Sequence, residues 1–353
     1  MQIRHTNDRE VSMSYMDCMS RVKIPIMLCL ALFKYLNILF WVSLILFIIL
    51  RLMPLDPSGM LIPPTATPQD VAIIRHNLGL DQPIWVQYKI WIINLLSGDF
   101  GVSIQTGEPV IQSLKNAIPV TSLLVSCAII IGICLGLVLT LFAFYFQNTW
   151  ISRSIEVFNN MTLSIPEFLW SILLIFIFGL MLNWLPFFGL IDPSVELHPL
   201  SDNLLINIAL NHDLNVLSNL IAHLFMPIMV LAMSILPMIV KTLYVQLQLV
   251  YQQDFIKFAQ LRGHPKRYIL LHHALPNAIY PTIALIAVQA SMLVGGTLLV
   301  ETIFGLPGLG ALMLKGITNQ DLPIIQSVAL CYGIAVLFIN IVIKFISLHF
   351  ESH

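Results

Sequence analysis

The segment at residues 247–277 reads LQLVYQQDFIKFAQLRGHPKRYILLHHALPN and joins two long apolar runs. Gly263 separates two stretches of this segment that are compatible with helices, and Pro265 stands at the first turn of the second stretch. Four basic residues accompany them. The pattern predicts a short helix, a glycine elbow and a second short amphipathic helix over about 266–274.

The first of these helices is predicted over Asp254 to Arg262. One of its sides carries residues that recur at the spacing i, i+3, i+4 and i+7. These residues are Phe255, Phe258, Ala259 and Arg262. Apolar anchors ringed by charge suit docking into a groove on a soluble partner. An ordinary interhelical loop is the alternative interpretation.

The composition of the chain indicates its solvent. The chain is 58% hydrophobic and 10% charged, whereas a soluble domain carries about 25% charged residues. So little charge cannot cover the surface of a soluble protein, which makes the bilayer the expected environment. The net charge of −1 and the lack of a basic block argue against a nucleic-acid partner.

Six apolar runs are long enough to cross a bilayer, since a span needs about 20 residues. They lie at about 35–53, 120–146, 163–185, 221–246, 278–300 and 323–347. Backbone polar groups must be satisfied internally in lipid, so the chain is predicted to be an all-α integral membrane protein with about six transmembrane helices. The first run is too long for a signal peptide, and no small-residue cleavage site precedes Pro54.

The distribution of Lys and Arg predicts the orientation. With the N-terminus in the cytoplasm, twelve of these residues fall inside and five outside. This bias predicts that both termini are cytoplasmic, because basic residues concentrate on the cytoplasmic side. Residues 1–34 are then a cytoplasmic tail, 247–277 a cytoplasmic loop and 54–116 an extracytoplasmic segment.

Two helices are predicted in the segment 54–116. Thr67-Pro68-Gln69-Asp70 is typical of a helix start, and Gly79 is placed to end that helix. Further on, apolar and aromatic residues recur at helical spacing: Trp85, Tyr88, Trp91, Ile92 and Leu95. Trp and Tyr favour the membrane interface, so this second helix is predicted to lie along the outer surface. A packed extracytoplasmic cap is the alternative.

Sequence signatures of catalysis and cofactor binding are missing. The chain has no GxxxxGK[ST], HExxH or GxSxG run and no zinc-spaced Cys/His cluster. It is therefore not expected to bind ATP through a P-loop or to be an enzyme. Its ten histidines are scattered, and the adjacent pair His272-His273 does not share a helix face. No metal site is expected, and the five cysteines are interpreted as apolar packing residues.

The segment at 247–277 resembles the cytoplasmic loop of ABC importer permeases. The general pattern of that loop is E-A-A, three residues, Gly, nine residues and I-x-L-P, and four residues of this chain match it: Ala259, Gly263, Leu275 and Pro276. The peptide and nickel branch commonly reads D-Y-V-R-T-A-R-A-K-G, which is similar to DFIKFAQLRG at 254–263. Lys257, where the general pattern has Glu, therefore fits that branch. The run HALPNAIYP at 273–281 is also typical of it.

Five other stretches resemble the same branch in order and spacing. They are RLMPLDP at 51–57, LGLDQP at 78–83, GDFGVS at 98–103, SIPEF at 164–168 and ETIFGLPGLG at 301–310. The likeness extends over roughly 35–340 and is to the first-type permease of dipeptide, oligopeptide and nickel importers. The C-terminus departs from it, because the D-P-R ending is replaced by FESH at 350–353.

The resemblance implies a type I ABC importer permease fold with an extracytoplasmic insert after the first helix. It divides the chain into the tail 1–34, a first helix and outer segment at 35–116 and a five-helix core at 117–349. The implied partners are a second homologous permease, two ABC ATPase subunits that bind ATP and Mg²⁺, an extracytoplasmic solute-binding protein and membrane lipid. This chain itself is expected to hold no cofactor.

The resemblance also implies roles for particular residues. The loop that couples to the ATPases would use Asp254, Phe255, Lys257, Phe258, Ala259, Arg262, Gly263, Leu275 and Pro276. Independently of the resemblance, Glu301 is a candidate pathway residue because acids within spans commonly serve function, and it begins a Gly-Pro-rich stretch with Pro307 and Gly308 that is expected to break the helix and line a cavity. The alternative for Glu301 is a structural hydrogen bond at a re-entrant turn, and Glu167 is interpreted as a first-turn acid favoured by the helix dipole.

A secondary transporter or channel that acts without ATPases is the competing hypothesis for function, and a scaffold or sensor is a third. Inverted repeats and intramembrane charge pairs, which are common in secondary transporters, are not detected in the sequence. The candidate cargoes are dipeptides, oligopeptides, haem, nickel and metal chelates, and the residues do not separate them.

Overall fold

The computed structural model describes residues 33–52, 81–195, 201, 203–211 and 213–351. Eleven helices occupy these ranges. They are α1 (Phe33–Leu52), α2 (Ile84–Leu96), α3 (Val110–Tyr145), α4 (Trp150–Ser164), α5 (Glu167–Met181), α6 (Leu204–Asn211), α7 (Leu214–Tyr251), α8 (Asp254–Leu261), α9 (Lys266–Ile303), α10 (Leu309–Thr318) and α11 (Leu322–Glu351). The predicted helix between Thr67 and Gly79 and nearly all of the N-terminal tail lie outside the described residues.

Five of these helices are long and apolar enough to cross a membrane: α1, α3, α7, α9 and α11. The bent pair α4–α5 makes a sixth span when it is counted as one. This result confirms the all-α class and the predicted number of about six. The helix α7 has 38 residues, or about 57 Å at 1.5 Å per residue, which exceeds the roughly 30 Å of the hydrocarbon core.

The predicted span at 163–185 contains α5 and begins at the end of α4. The axes of α4 and α5 meet at 110° across Ile165 and Pro166. Ile165 is extended, with φ −98° and ψ 122°, because the residue before a proline is pushed away from the helical region. The last turns of α5, Ile175–Met181, are π-helical. The apolar run therefore consists mainly of α5, and the break that separates it from α4 lies near its start.

The helix α3 begins ten residues earlier than its predicted start at 120, and Pro119 lies inside it. A proline within a helix leaves the carbonyl four residues earlier without its usual donor. Here the side-chain amide of Asn203 donates to the Lys115 carbonyl oxygen at 2.8 Å and satisfies it. The predicted boundary between 116 and 117 consequently falls within a continuous helix.

The core of the molecule lies between α3, α7 and α9, and α7 is the most buried of the five long helices. Two glycines bring α3 close to α7. A Cβ at Gly132 would lie 2.6 Å from Ile235 Cδ1, and a Cβ at Gly136 would lie 2.8 Å from Ile239 Cγ2. Small residues spaced four apart permit such close helix packing in membranes, where dispersion contacts replace the hydrophobic drive.

The helix α2 appears where the aromatic spacing predicts a helix, but it packs against α1. The Tyr88 hydroxyl is 2.8 Å from Ser43 Oγ, in the middle of α1. The rings of Tyr88 and Trp91 lie 5.4 and 5.5 Å from the ring of Phe47, which is 1% exposed. The contacts run along the middle and the C-terminal half of α1. This helix is therefore attached to α1, and its position along the outer surface of the membrane stays a prediction.

Candidate functional site

The connection between α7 and α9 contains the short helix α8 and a glycine turn. Gly263 has φ +78°, a left-handed conformation that glycine adopts without strain. Its N–H donates to the Gln260 carbonyl at 2.9 Å, and the His264 N–H donates to the Ala259 carbonyl at 3.3 Å. These two bonds form the Schellman motif that ends helices at a left-handed residue. The structure therefore has the predicted helix and glycine elbow.

The stretch after the elbow is not a separate short helix. From Lys266 the chain is helical without a break to Ile303, and the turns at Ile269–Ala274 are π-helical. The Lys266 ammonium donates to the Tyr145 carbonyl at the end of α3, at 2.6 Å, and lies 5.2 Å from the Tyr145 ring centre. The predicted amphipathic helix at 266–274 is thus the first part of α9, which also continues through Pro276 and Pro281.

The helix α8 has two faces. Ile256 and Ala259 are buried, and they pack with Phe144, Leu243, Leu247 and Ile269. Phe255, Phe258 and Leu261 are 44%, 64% and 83% exposed. The prediction that Ala259 shares the outward side with the two phenylalanines is wrong, since Ala259 and Ile256 together anchor α8 to the bundle. The exposed face therefore consists of Phe255, Phe258 and Leu261.

Charged side chains surround this exposed face. Asp254 and Lys257 form an ion pair of 2.9 Å, with both side chains exposed, and such surface pairs contribute only about 0.2–1 kcal/mol. Arg262 and Arg267 are also exposed. Of the two remaining motif residues, Leu275 is half-buried and Pro276 is exposed. The loop thus presents apolar side chains within a mostly basic rim.

Glu301 lies at the opposite end of α9, where α10 folds back. It is 0% exposed. Its carboxylate accepts hydrogen bonds from Thr121 Oγ1 at 2.6 Å, from Gly310 N at 2.6 Å and from Ala311 N at 3.1 Å. A carboxylate that accepts the free N–H groups of a helix start is stabilised by them and by the helix dipole. The geometry favours the structural alternative for Glu301.

The turn between α9 and α10 needs its glycine because of this carboxylate. Gly308 precedes the first residue of α10, and a side chain there would overlap the carboxyl group of Glu301. Pro307 and Glu301 are both on the wall of an open cavity of about 500 Å³ beside α10. The three residues predicted for this stretch thus lie together at the re-entrant turn.

A family model described as the binding-protein-dependent transport system inner membrane component matches residues 128–353. The model of the N-terminal part of the same kind of component matches residues 27–125. The chain belongs to this family of membrane permeases. It is therefore a multi-pass permease of the inner membrane and a non-catalytic transport component. The resemblance found in the sequence is confirmed.

The permease is similar to several proteins with assigned names. It is 30% identical over 302 residues to the probable peptide ABC transporter permease protein y4tP of Sinorhizobium fredii, covering 86% of this chain and 90% of that protein. It is 31% identical over 309 residues to the probable D,D-dipeptide transport system permease protein DdpB of Escherichia coli, covering 87% and 91%. It is 27% identical over 313 residues to the dipeptide transport system permease protein DppB of Alkalihalophilus pseudofirmus, covering 88% and 94%.

Sequence reasoning about the permease missed Asp321. This residue is 1% exposed and accepts a hydrogen bond of 2.5 Å from Ser103 Oγ, in the family-like stretch GDFGVS. It also accepts from Gln105 N at 3.3 Å and from Ile324 N at 3.4 Å. Asp321 thus caps α11 and ties the loop before α3 to it. An Asp directly before an apolar helix with Pro in its first turn was the available signal.

Glu167 of the permease also has more contacts than a first-turn acid requires. It begins α5 directly after the break at Pro166. Ser234 of α7 lines the same cavity as the Glu167 carboxylate, and its hydroxyl donates to the Leu231 carbonyl oxygen at 2.8 Å. Gly296 of α9 faces this carboxylate, because a Cβ there would lie 2.7 Å from Glu167 Oε2. Three helices therefore meet around this carboxylate.

Proposed function

We propose that this permease imports peptides or solutes of similar size, driven by ATP hydrolysis on two separate ATPase subunits that dock onto α8. The observation that carries the proposal is the exposed apolar face of α8, held in place by buried residues on its other side. The peptide cargo is supported by the names of the similar proteins.

The geometry of α8 suits the transmission of force. Ile256 and Ala259 tie α8 to the ends of α3 and α7, so a push on α8 is passed to two spans of the core. Phe255 and Phe258 offer large side chains of the kind that dominate interface energies. The surrounding Lys257, Arg262 and Arg267 suit an acidic rim on the partner.

The remaining partners follow from the same proposal. A second homologous permease would pair with this chain around a central pathway, and an extracytoplasmic solute-binding protein would deliver the cargo. ATP and Mg²⁺ would bind to the ATPase subunits alone, since the sequence carries no P-loop motif. Both termini and α8 would lie in the cytoplasm, as the distribution of Lys and Arg predicts.

The energy source is tested with purified components. The permease alone is expected not to hydrolyse ATP, and hydrolysis is expected only after the ATPase subunits are added. Import of a labelled dipeptide into proteoliposomes should require those subunits, ATP and the solute-binding protein. Phosphate release and retained label measure the two steps. Dipeptide accumulation without ATPase subunits would instead support a secondary transporter or channel.

The orientation is tested by cysteine labelling. In a background without the five native cysteines, single cysteines replace Glu108 or Gln252, both of which are exposed. A membrane-impermeant maleimide added to intact cells is expected to label position 108, and to label position 252 only after permeabilisation. Labelling of position 252 alone in intact cells would reverse the proposed orientation and remove α8 from the cytoplasm.

A further inference from the structure

The break between α4 and α5 opens a cavity within the spans. The cavity has a volume of about 630 Å³ and lies between α4, α5, α7 and α9. Ser234, near the middle of α7, is part of its wall, as are Gly295 and Gly296 of α9. Binding sites for small molecules have volumes of about 300–1,000 Å³. The cavity is thus large enough for a small solute at the depth of the spans.

The wall of this cavity is acidic and otherwise mostly apolar. Glu167 provides the carboxylate, and Thr162 and Ser234 provide hydroxyl groups. The residues that line it include no Lys, Arg or His. Within the described residues, the ion pair between Lys257 and Asp254 is at α8, away from this cavity, and it does not neutralise Glu167. The cavity therefore attracts a cation and disfavours an anion.

The comparison with Glu301 shows that Glu167 has capacity left. Glu301 is fully buried and accepts bonds from three protein donors. Glu167 is half-buried, and the nearby Ser234 hydroxyl donates to the Leu231 carbonyl oxygen at 2.8 Å. An ionised carboxylate has about four acceptor positions. Ionisable groups within spans are costly and commonly serve function. The open side of Glu167 faces the cavity, where a solute would meet it.

We propose that the Glu167 carboxylate binds the protonated amino group of the solute that passes through this cavity. The inference rests on the proposed import of peptides and deepens it, because it assigns a contact and a chemical class to the pathway. A peptide suits this contact, since its free α-amino group has a pKa of about 7.7–8.0 and is mostly charged at neutral pH. A charged donor also makes the stronger kind of hydrogen bond with a carboxylate.

A bare divalent metal ion suits the cavity less well. Such an ion requires several N, O or S ligands in a defined geometry. Among the described residues no group of three or more His, Cys, Asp and Glu side chains is placed to hold a metal. One carboxylate with two hydroxyl groups matches an ammonium group, which needs a few acceptors and no fixed coordination geometry. The cavity thus favours amines over nickel among the candidate cargoes.

The test measures discrimination between two peptides by the complete importer in proteoliposomes. The probes are labelled L-alanyl-L-alanine and its N-acetylated form, and the readout is the ratio of their uptake rates. Glu167→Gln is expected to lower this ratio about tenfold, because a neutral amide replaces the charged acceptor. Any preference of the solute-binding protein for one of the two peptides is the same with the wild-type and the variant permease, so it cancels when their uptake ratios are compared. Glu167→Asp should retain part of the discrimination.

The control is Glu156→Gln, the same chemical change at an exposed position of α4 outside the cavity wall. It should keep the wild-type ratio. An unchanged ratio in Glu167→Gln, or an equal loss of both peptides, overturns the inference and leaves peptide import intact. If the wild-type importer hydrolyses ATP but takes up neither peptide, the proposed cargo itself is wrong, and the inference fails with it.

A second pair of variants tests the geometry. A methyl group at Gly296 would lie 2.7 Å from Glu167 Oε2 and would displace the carboxylate, whereas a methyl group at Gly295 meets no atom within 4 Å. Gly296→Ala is therefore expected to lower the uptake ratio more than Gly295→Ala does. Equal ratios in the two variants would contradict the assigned position of the carboxylate. Both changes favour the helix to the same extent, since Ala replaces Gly in each.

Discussion

Gly310→Ala is expected to destabilise the permease strongly. A methyl group at this position would overlap the Cα of Leu298, would lie 2.8 Å from Leu298 N and would lie 2.9 Å from Glu301 Oε2. The backbone of α9 cannot move away as a flexible side chain can. Overpacking of this kind costs about 1–3 kcal/mol. If α10 moves instead, the bonds from Gly310 N and Ala311 N to Glu301 break, at about 1–3 kcal/mol for a buried group left unpaired.

The measurement is the apparent melting temperature of the purified permease, followed by the loss of the monodisperse peak on heating. Gly295→Ala is the matched control, because it makes the same change in α9 where nothing lies within 4 Å. We expect Gly310→Ala to melt several degrees below this control and to be less abundant in membranes. Equal melting temperatures for the two variants would mean that α10 does not pack tightly on α9.

The transmembrane helices were predictable because they depend on the length of an apolar run and on the bilayer as its solvent. An apolar run of about 20 residues has few alternatives to a helix in a bilayer. The interruptions within the runs were harder. Pro166 marks a break between two helices, whereas Pro119, one residue before the predicted start of a span at 120, lies inside α3. The difference depends on Asn203, distant in sequence, which satisfies the carbonyl of Lys115.

The candidate sites show the same division between local and distant information. Gly263 was predictable, since a glycine followed by proline after a helical stretch signals a left-handed helix end. The buried and exposed faces of α8 were not predictable from the sequence. Phe255 and Ile256 are adjacent and both apolar, and only the packing of Ile256 against Leu243 and Phe144 decides which of them is buried. Glu301 had two open interpretations, and its partner Thr121 is 180 residues away in the sequence.

Changes at the glycine elbow and on the exposed face of α8 are expected to abolish coupled transport without reducing the amount of permease. Gly263→Val places a β-branched residue at φ +78°, which costs about 1–2 kcal/mol. The added Cβ meets no atom within 4 Å, so the damage comes from backbone strain and not from a clash. The strain is relieved by changing the angle between α8 and α9, which alters how α8 enters its groove on the ATPase.

Gly263→Asn is the matched control at the elbow. Asparagine enters the left-handed region more readily than other residues with a side chain, and the space around the Cβ is open. It should keep most of the transport that the valine variant loses. Both variants should insert normally, because the long spans are held by their own packing in the bilayer. If Gly263→Val transports dipeptide at the wild-type rate and abundance, the elbow is an ordinary loop, and the docking proposal fails.

Phe258→Asp acts on the same interface by another route and has the larger expected effect. Phe258 is 64% exposed, so the change leaves the fold of α8 intact. In the docked complex it removes a buried aromatic side chain worth about 1.5–3 kcal/mol, and it adds an unpaired charge that costs about 3–5 kcal/mol. Binding of the ATPase subunits should therefore weaken by more than a thousandfold, since each 1.4 kcal/mol is about tenfold. Gln260→Asp places the same charge on α8, away from the apolar face, and should still co-purify with the ATPases. Equal co-purification of the two aspartate variants would show that Phe258 does not enter the contact.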